Sequence, residues 1–242
     1  MTNLTYAVGD IHGDFDLTLK LLDKIYEHSK RQPDGLRSIV FLGDYIDRGP
    51  QSFEVVNHIF NLDTLDDRFA DFNLTFIRGN HEDFVIKSYV DEDEGFFDSW
   101  LRNGGIDTIN SLECNNVSIR DFAVMLINNT THFTMDNYRA YVHASMCHNR
   151  SSRDQIRSTN LWAGYKKTDD LPYVTEYNRE LHVVHGHIPQ KSGTPLCLTN
   201  RTNLDTGSFF TGVLTAGVFD DDKEGGPIEI LNVRKLPPNE FE

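Results

Sequence analysis

The chain has 242 residues, of which 38% are hydrophobic and 25% charged. That is the make-up of a soluble globular protein long enough to bury a sizeable core. A formal net charge of −14 argues against a general binder of nucleic acid or of an anionic membrane, because either needs a basic stripe. Cys114, Cys147 and Cys197 do not make the even, spaced set of a disulfide framework, so a reducing compartment is expected. The opening "MTNLTYAVGD" lacks a basic stretch followed by a long apolar one, and no apolar run reaches membrane-spanning length. The expectation is a cytoplasmic protein with no membrane or nucleic-acid partner, and a monomer by default.

The first ninety residues alternate strand and helix patterns. "LTYAVG" (4–9) predicts a strand, and residues 15–30, with Leu17, Leu21, Leu22 and Ile25 at helical spacing, predict a helix. "SIVFLG" (38–43) and "SFEVVNHIFNL" (52–62) repeat the unit, and "FNLTFIRG" (72–79) and "HEDFVIKSYV" (81–90) repeat it again. Three such units predict an α/β fold that begins with a parallel sheet. Residues 91–130 are polar and helical, ending "EGFFDSWLRNGG" on a glycine pair, and suggest a helical insertion or cap. The second half predicts strands at 132–135, 138–144, 181–186, 202–208, 212–219 and 228–233. One domain over 1–233 is expected, with 234–242 a frayed tail.

Polar clusters follow five of these strands. "GDIHG" brings Asp10 and His12; "GDYIDRG" brings Asp44, Asp47 and Arg48; "RGNHE" brings Arg78, Asn80, His81 and Glu82. "VHA" brings His143, and "HGH" brings His185 and His187, which strand alternation would send to one face. Ligands of open α/β sheets bind beyond the carboxyl ends of the strands, so the five clusters can converge. Carboxylate, amide oxygen and imidazole suit manganese, iron or zinc, and the absence of cysteine disfavours a structural zinc site. So many donors exceed the needs of one ion, and paired ions are a standard device for phosphoester cleavage. Each cluster alone has a structural reading. "GDIHG" can be a tight turn, Asn80 a helix cap, and His143 a satisfied core histidine. Five such coincidences, each at a strand end, are a poor explanation.

"GDIHG", "GDYIDRG" and "GNHE", in that order and spacing, resemble the phosphoprotein phosphatase family of metal-dependent serine/threonine phosphatases. The likeness to its compact bacterial and bacteriophage lambda-type members extends to "WLRNGG" (100–105), "YVHA" (141–144), "VVHGHIP" (183–189) and "NLDTGSFFTGVLTAGVF" (203–219). It implies a calcineurin-like metallophosphoesterase fold, a central β-sandwich flanked by helices. It also implies two divalent ions, manganese first, with zinc, iron or nickel as alternatives. Asp10, His12 and Asp44 would hold one ion, and Asp44, Asn80, His143 and His187 the other. Arg48 and Arg78 would clamp phosphate, and His81, oriented by Asp47, would protonate the leaving oxygen. The implied reaction is attack on phosphorus by a hydroxide bridging the ions, on phosphoserine, phosphothreonine or phosphotyrosine in proteins or on a small phosphoester.

One departure stands out. The lambda-type enzymes carry a further phosphate-binding arginine where "NLWAGYKKTD" (160–169) has Gly164, leaving Lys166, Lys167 or Arg157 as substitutes. The alternative reading is a hydrolase of diadenosine tetraphosphate or related nucleotide polyphosphates, which shares the fold and metal site. Glu82, where such enzymes tend to have Asp, tips the expectation modestly toward the protein phosphatase.

Overall fold

Alternation along the first strand, β1 (Leu4–Val8), sets the layering of the molecule. Leu4, Tyr6 and Val8 enter an apolar cluster shared with helices. Ala7 points the other way into a second cluster with Tyr141, Val184 and Leu204, as the two-residue period of a strand requires. The computed structural model describes residues 2–148, 150–165 and 169–235. Two sheets stack in it, with the second cluster between them.

The first sheet contains β1, β2 (Arg37–Phe41), β3 (Phe72–Phe76), β10 (Val213–Asp220) and β11 (Glu229–Arg234), ordered β11-β10-β1-β2-β3. Its three N-terminal strands are parallel, while β10 and β11 run antiparallel. Helices α1 (Phe15–Lys30) and α2 (Ser52–Phe60) cross between the parallel strands. Asp14 starts α1 by accepting the Leu17 N–H, and Leu17, Leu21, Leu22 and Ile25 are buried along one stripe. After a short α3 (Leu62–Leu65), β3 leads into α4 (Asn80–Tyr89). The 91–130 section consists of α5 (Glu94–Trp100), α6 (Ile106–Cys114) and α7 (Ile119–Asn129).

The second sheet contains β4 (Phe133–Met135), β5 (Arg139–Val142), β7 (Glu180–His185), β9 (Arg201–Asn203) and β8 (Leu196–Cys197), in that spatial order, with β6 (Tyr173–Val174) on β7. Its centre, β5, β7 and β9, is also parallel. Two parallel-cored sheets therefore bring their carboxyl ends to one edge of the sandwich. The short helix α8 (Arg157–Trp162) lies between β5 and β6, and α9 (Ser208–Thr211) precedes β10.

The expected strand over 202–208 stops at Asn203. The Asn203 Oδ1 accepts the Asp205 N–H, the Asp205 carboxylate accepts the Gly207 N–H, and Gly207 turns at φ 66° into α9. These side chains offer the backbone a turn in place of a ladder. At the other end β11 runs through Arg234, and the Lys235 ammonium lies 2.5 Å from Asp14. The rest of the expected tail, 236–242, lies outside the described residues. Among the described residues no helix is long and apolar enough to cross a membrane.

Gly9 sits where the sheets meet: its N–H donates to the Thr215 carbonyl at 3.0 Å, and a Cβ there would run into the Leu204 carbonyl of the other sheet. Gly9→Ala should therefore destabilise the protein by about 1–3 kcal/mol, as overpacking does. A melting experiment should read this as a fall of roughly 3–10 °C.

Candidate metal centre

Each parallel strand ends in a loop that delivers polar side chains to the shared edge. Asp10 and His12 follow β1, Asp44 to Arg48 follow β2, and Asn80 and His81 open α4 after β3. From the other sheet come His143 after β5, His187 after β7 and Asp205 after β9. The loops are strained. Among the described residues eight non-glycines have positive φ, and five of them are His12, Asp44, Asp47, Arg48 and His187. Such backbone persists where its surroundings over-determine it, which is typical of functional sites.

Asp44 lies at the centre and is buried. Its carboxylate is 3.8 Å from His12 Nε2, 3.9 Å from His81 Nε2 and 3.4 Å from His143 Nε2, and it accepts the His81 N–H at 3.0 Å. His12, Asp44 and His81 form one set with mutually close ligand atoms; Asp44, His143 and His187 form another. Asn80 Oδ1 is 2.9 Å from both His143 Nε2 and His187 Nδ1, so it belongs with the second set. Asp10 accepts the His187 N–H at 3.0 Å, and Gly186 permits this approach because any Cβ there would strike the Asp10 carboxylate.

The donor set fits divalent cations. The Nδ1 atoms of His12 and His143 lie 2.9 Å from the carbonyls of Ile46 and Leu42, which makes Nδ1 the N–H and turns the Nε2 lone pairs toward Asp44. Burial together with the charges of Asp205 and Asp44 pushes the Asp10 carboxyl well above the usual range. Burial likewise lifts Asp205 to about 6. Lone pairs and carboxylates crowded without water call for positive charge. Arg48 supplies part of it: its Nη1 lies 2.8 Å from His12 Nε2, and its guanidinium lies 4.4 Å from the Phe209 ring centroid.

Beside this cluster His81 Nδ1 donates to Asp47 Oδ2 at 2.6 Å. Burial disfavours the protonated ring, but the Asp44 and Asp47 carboxylates outweigh it and leave the His81 pKa raised. Asp47 is held by the insertion. The Trp100 Nε1–H reaches both its oxygens at 2.9 Å, and the Thr108 hydroxyl donates to Oδ1 at 2.5 Å. These two positioning residues carry no chemistry of their own and were missed in the sequence.

Two expectations are corrected. Arg78 does not face the cluster: its Nε donates to Thr130 Oγ1 at 2.8 Å and its Nη2 to the Ile127 carbonyl at 3.3 Å, so it ties off the end of α7. His185 and His187 do not share a face. The strand ends at His185, and the positive φ of His187 turns its ring to Asn80 while His185 Nε2 accepts from Arg201 at 3.1 Å. The Glu82 carboxylate accepts the N–H groups of Asp44, Tyr45 and Gly79 at 2.8–2.9 Å and braces the Asp44 loop. Its identity therefore says little about substrate. Of the substitutes for the arginine at Gly164, Arg157 pairs with Asp83 at 2.5 Å. Lys166 and Lys167 lie outside the described residues. Asp205 lies in the turn that replaces the end of the expected strand 202–208.

Comparison with known proteins agrees with this geometry. Residues 5–209 match the family described as calcineurin-like phosphoesterase. The chain is 27% identical over 224 residues to the asymmetrical bis(5'-nucleosyl)-tetraphosphatase PrpE of Anoxybacillus flavithermus, covering 86% of this chain and 87% of that protein. In fold it resembles a cold-active protein-tyrosine phosphatase of Shewanella, with TM-score 0.62, 19% identity, and coverage of 90% and 78%. It also resembles a protein serine/threonine phosphatase of Saccharomyces cerevisiae, with TM-score 0.57, 15% identity, and coverage of 99% and 82%.

Two outcomes are expected of this arrangement. Asp44→Asn should leave the protein unable to retain either ion, whereas His81→Asn should keep both, as read by elemental analysis after gel filtration with manganese. Retention of two ions by Asp44→Asn would remove its bridging role, and metal loss in His81→Asn would make that ring a ligand. Trp100→Phe removes the N–H aimed at Asp47 while keeping an aromatic ring, though a smaller one, in the buried position, so kcat should fall about tenfold, one order of the range that a general acid contributes. KM and metal content should stay near those of the wild type.

Proposed function

Since the chain belongs to the calcineurin-like phosphoesterase family, we propose that it is a divalent-metal-dependent hydrolase that cleaves bis(5'-nucleosyl) tetraphosphates asymmetrically. The observation that carries this reading is the likeness to PrpE, which spans most of both chains. Among the described residues Arg48 is the arginine beside the clustered donors, Arg78 and Arg157 being engaged elsewhere.

The two ions would be held by Asp10, His12 and Asp44 and by Asp44, Asn80, His143 and His187; they would supply charge neutralisation and a water acidified into a nucleophile. The chain's own groups do the rest. Arg48 swings its fork from His12 onto the phosphoryl oxygens, which keep the orientation in which charge builds up on them. His81, with Nδ1 committed to Asp47, offers the proton on Nε2 to the leaving oxygen. The strained loops and the buried carboxylate network keep these groups from relaxing between turnovers.

Dephosphorylation of proteins is the second reading, supported by the order and spacing of the first three motifs. The two readings differ in their demand on His81. A departing nucleotide phosphate is a far better leaving group than a serine alkoxide, so the acid matters less to it.

The test is turnover by metal-stripped protein with manganese, zinc, nickel, iron or magnesium restored, on diadenosine tetraphosphate and on a phosphoserine peptide. Manganese should restore activity, the dinucleotide should be turned over at least about tenfold more efficiently, an order of magnitude in specificity being a difference of about 1.4 kcal/mol, and AMP and ATP should appear in equal amounts. His81→Asn should lower peptide turnover more than dinucleotide turnover. Preference for the peptide would favour the second reading, and inertness toward both would overturn each.

A further inference from the structure

A cavity of about 610 Å³ opens beside the metal centre, walled by Phe84, Phe96 and Trp162 with Lys87, Asn103 and Ser158 among its other lining residues. Its place follows from its walls. Phe84 lies one turn after His81 on α4, and the two ring centroids are 5.8 Å apart. Asn103 precedes Gly104, whose carbonyl accepts the Arg48 N–H at 3.3 Å. Trp162 packs on Phe84, with the ring centroids 4.8 Å apart. The cavity thus adjoins the proposed acid and the loop that holds the phosphate arginine.

We infer that this cavity seats the nucleobase of the departing nucleotide, an inference that rests on the reading of the protein as a dinucleoside tetraphosphatase. The acid stands next to the oxygen that leaves, so the leaving group occupies the space beyond His81, and Phe84 is the first side chain there. The aromatic walls suit a flat heterocycle. Phe84 and Trp162 meet edge to face at 4.8 Å, and Phe96 is tilted to Phe84 at 6.0 Å and edge-on to Trp162 at 6.2 Å, so the three rings form one packed aromatic wall of the cavity. Such a wall accepts any base. Lys87, 4.1 Å above the Phe96 ring, and the Asn103 and Ser158 side chains give polar partners for ring nitrogens and ribose hydroxyls. The volume falls within the range of small-ligand sites, which are mostly apolar with a few placed polar groups. Asp83 keeps the wall in place, accepting the Trp162 Nε1–H at 3.2 Å and pairing with Arg157 and Lys87.

The experiment is calorimetric titration of the manganese-loaded protein with AMP and with ribose 5-phosphate, which share the phosphate and differ by the base. Wild type should bind AMP about tenfold more tightly, the scale of one base–aromatic stack. That ratio should collapse to within about twofold in Phe96→Ala, which removes a wall, and in Ser158→Tyr, which fills the space from an exposed position on α8. Ribose 5-phosphate binding shows that each variant is folded. A ratio near one in wild type, a ratio that survives in both variants, or binding of neither ligand would overturn the inference. Dinucleotide turnover is measured apart: its absence with the AMP preference intact would sink the substrate reading alone, and its presence without that preference would sink the cavity alone.

Discussion

Asp10, Asp44 and Asp205 are buried together where the two sheets meet, and like charges crowded away from water repel strongly. Much of the surrounding structure can be understood as the means of holding them there. Asp44 draws in three imidazoles and a helix N-terminal N–H. Glu82, one turn into α4, accepts the backbone N–H groups of the Asp44 loop and so fixes the angle at which β2 meets the helix. Five side chains sit in left-handed backbone, a conformation that costs of order 1–3 kcal/mol at each non-glycine. Nothing local would sustain that strain. It is offset by packing within both sheets, and the cluster is a natural seat for cations because its own positive groups leave the carboxylates partly uncompensated.

The insertion has a role that its position in the chain hides. Helices α5 and α6 stand outside both sheets, yet Trp100 and Thr108 reach back to a carboxylate on the β2 loop and aim it at His81. A buried Asp47 with three donors has one orientation, and a histidine bonded to it has one tautomer. Precision in the proton donor is thus supplied by side chains fifty or more residues away in sequence. The same insertion provides Phe96, Ser99 and Asn103 to the aromatic cavity, so one segment both orients the acid and lines the space next to it.

Much of this was legible in the sequence because the first sheet is built from local units. Periodicity gave α1 at Phe15–Lys30, and each glycine-flanked charge cluster fell at a strand end, where an α/β sheet binds ligands. Asp10, His12, Asp44, Asn80, His81, His143 and His187 do come together at that edge. The second sheet was harder, since short strands such as Leu196–Cys197 and Arg201–Asn203 carry no measurable alternation. Its parallel centre depends on crossovers that no local pattern encodes. Asp205 was lost with it, although Asn203 and Asp205 shortly before Gly207 are a turn signal. Arg78 was misplaced because a motif specifies a residue and not the direction of its side chain. A free helix end at Thr130 competed for the guanidinium and won. Trp100 and Thr108 are long-range hydrogen-bond donors, and such pairings have no sequence period at all.

The metal centre and the substrate question therefore rest on different parts of the molecule. The buried cluster suffices for phosphoester hydrolysis, and its geometry is indifferent to what the phosphate is attached to. Selection must come from groups outside it. Glu82 is bonded to the Asp44 loop and Arg78 to the end of α7, so neither is turned to the cluster. Among the described residues, what lies within reach is Arg48, the Phe209 ring beneath it, and an aromatic cavity beyond the acid. Phosphorylated serine offers little to aromatic walls, whereas a nucleotide brings a base that can stack on them. The choice between the two substrate classes turns on that stacking surface. A metal centre whose contacts to the phosphoryl group are the same for both substrates must take its selectivity from the remote part of the substrate, and here the remote part would be the base.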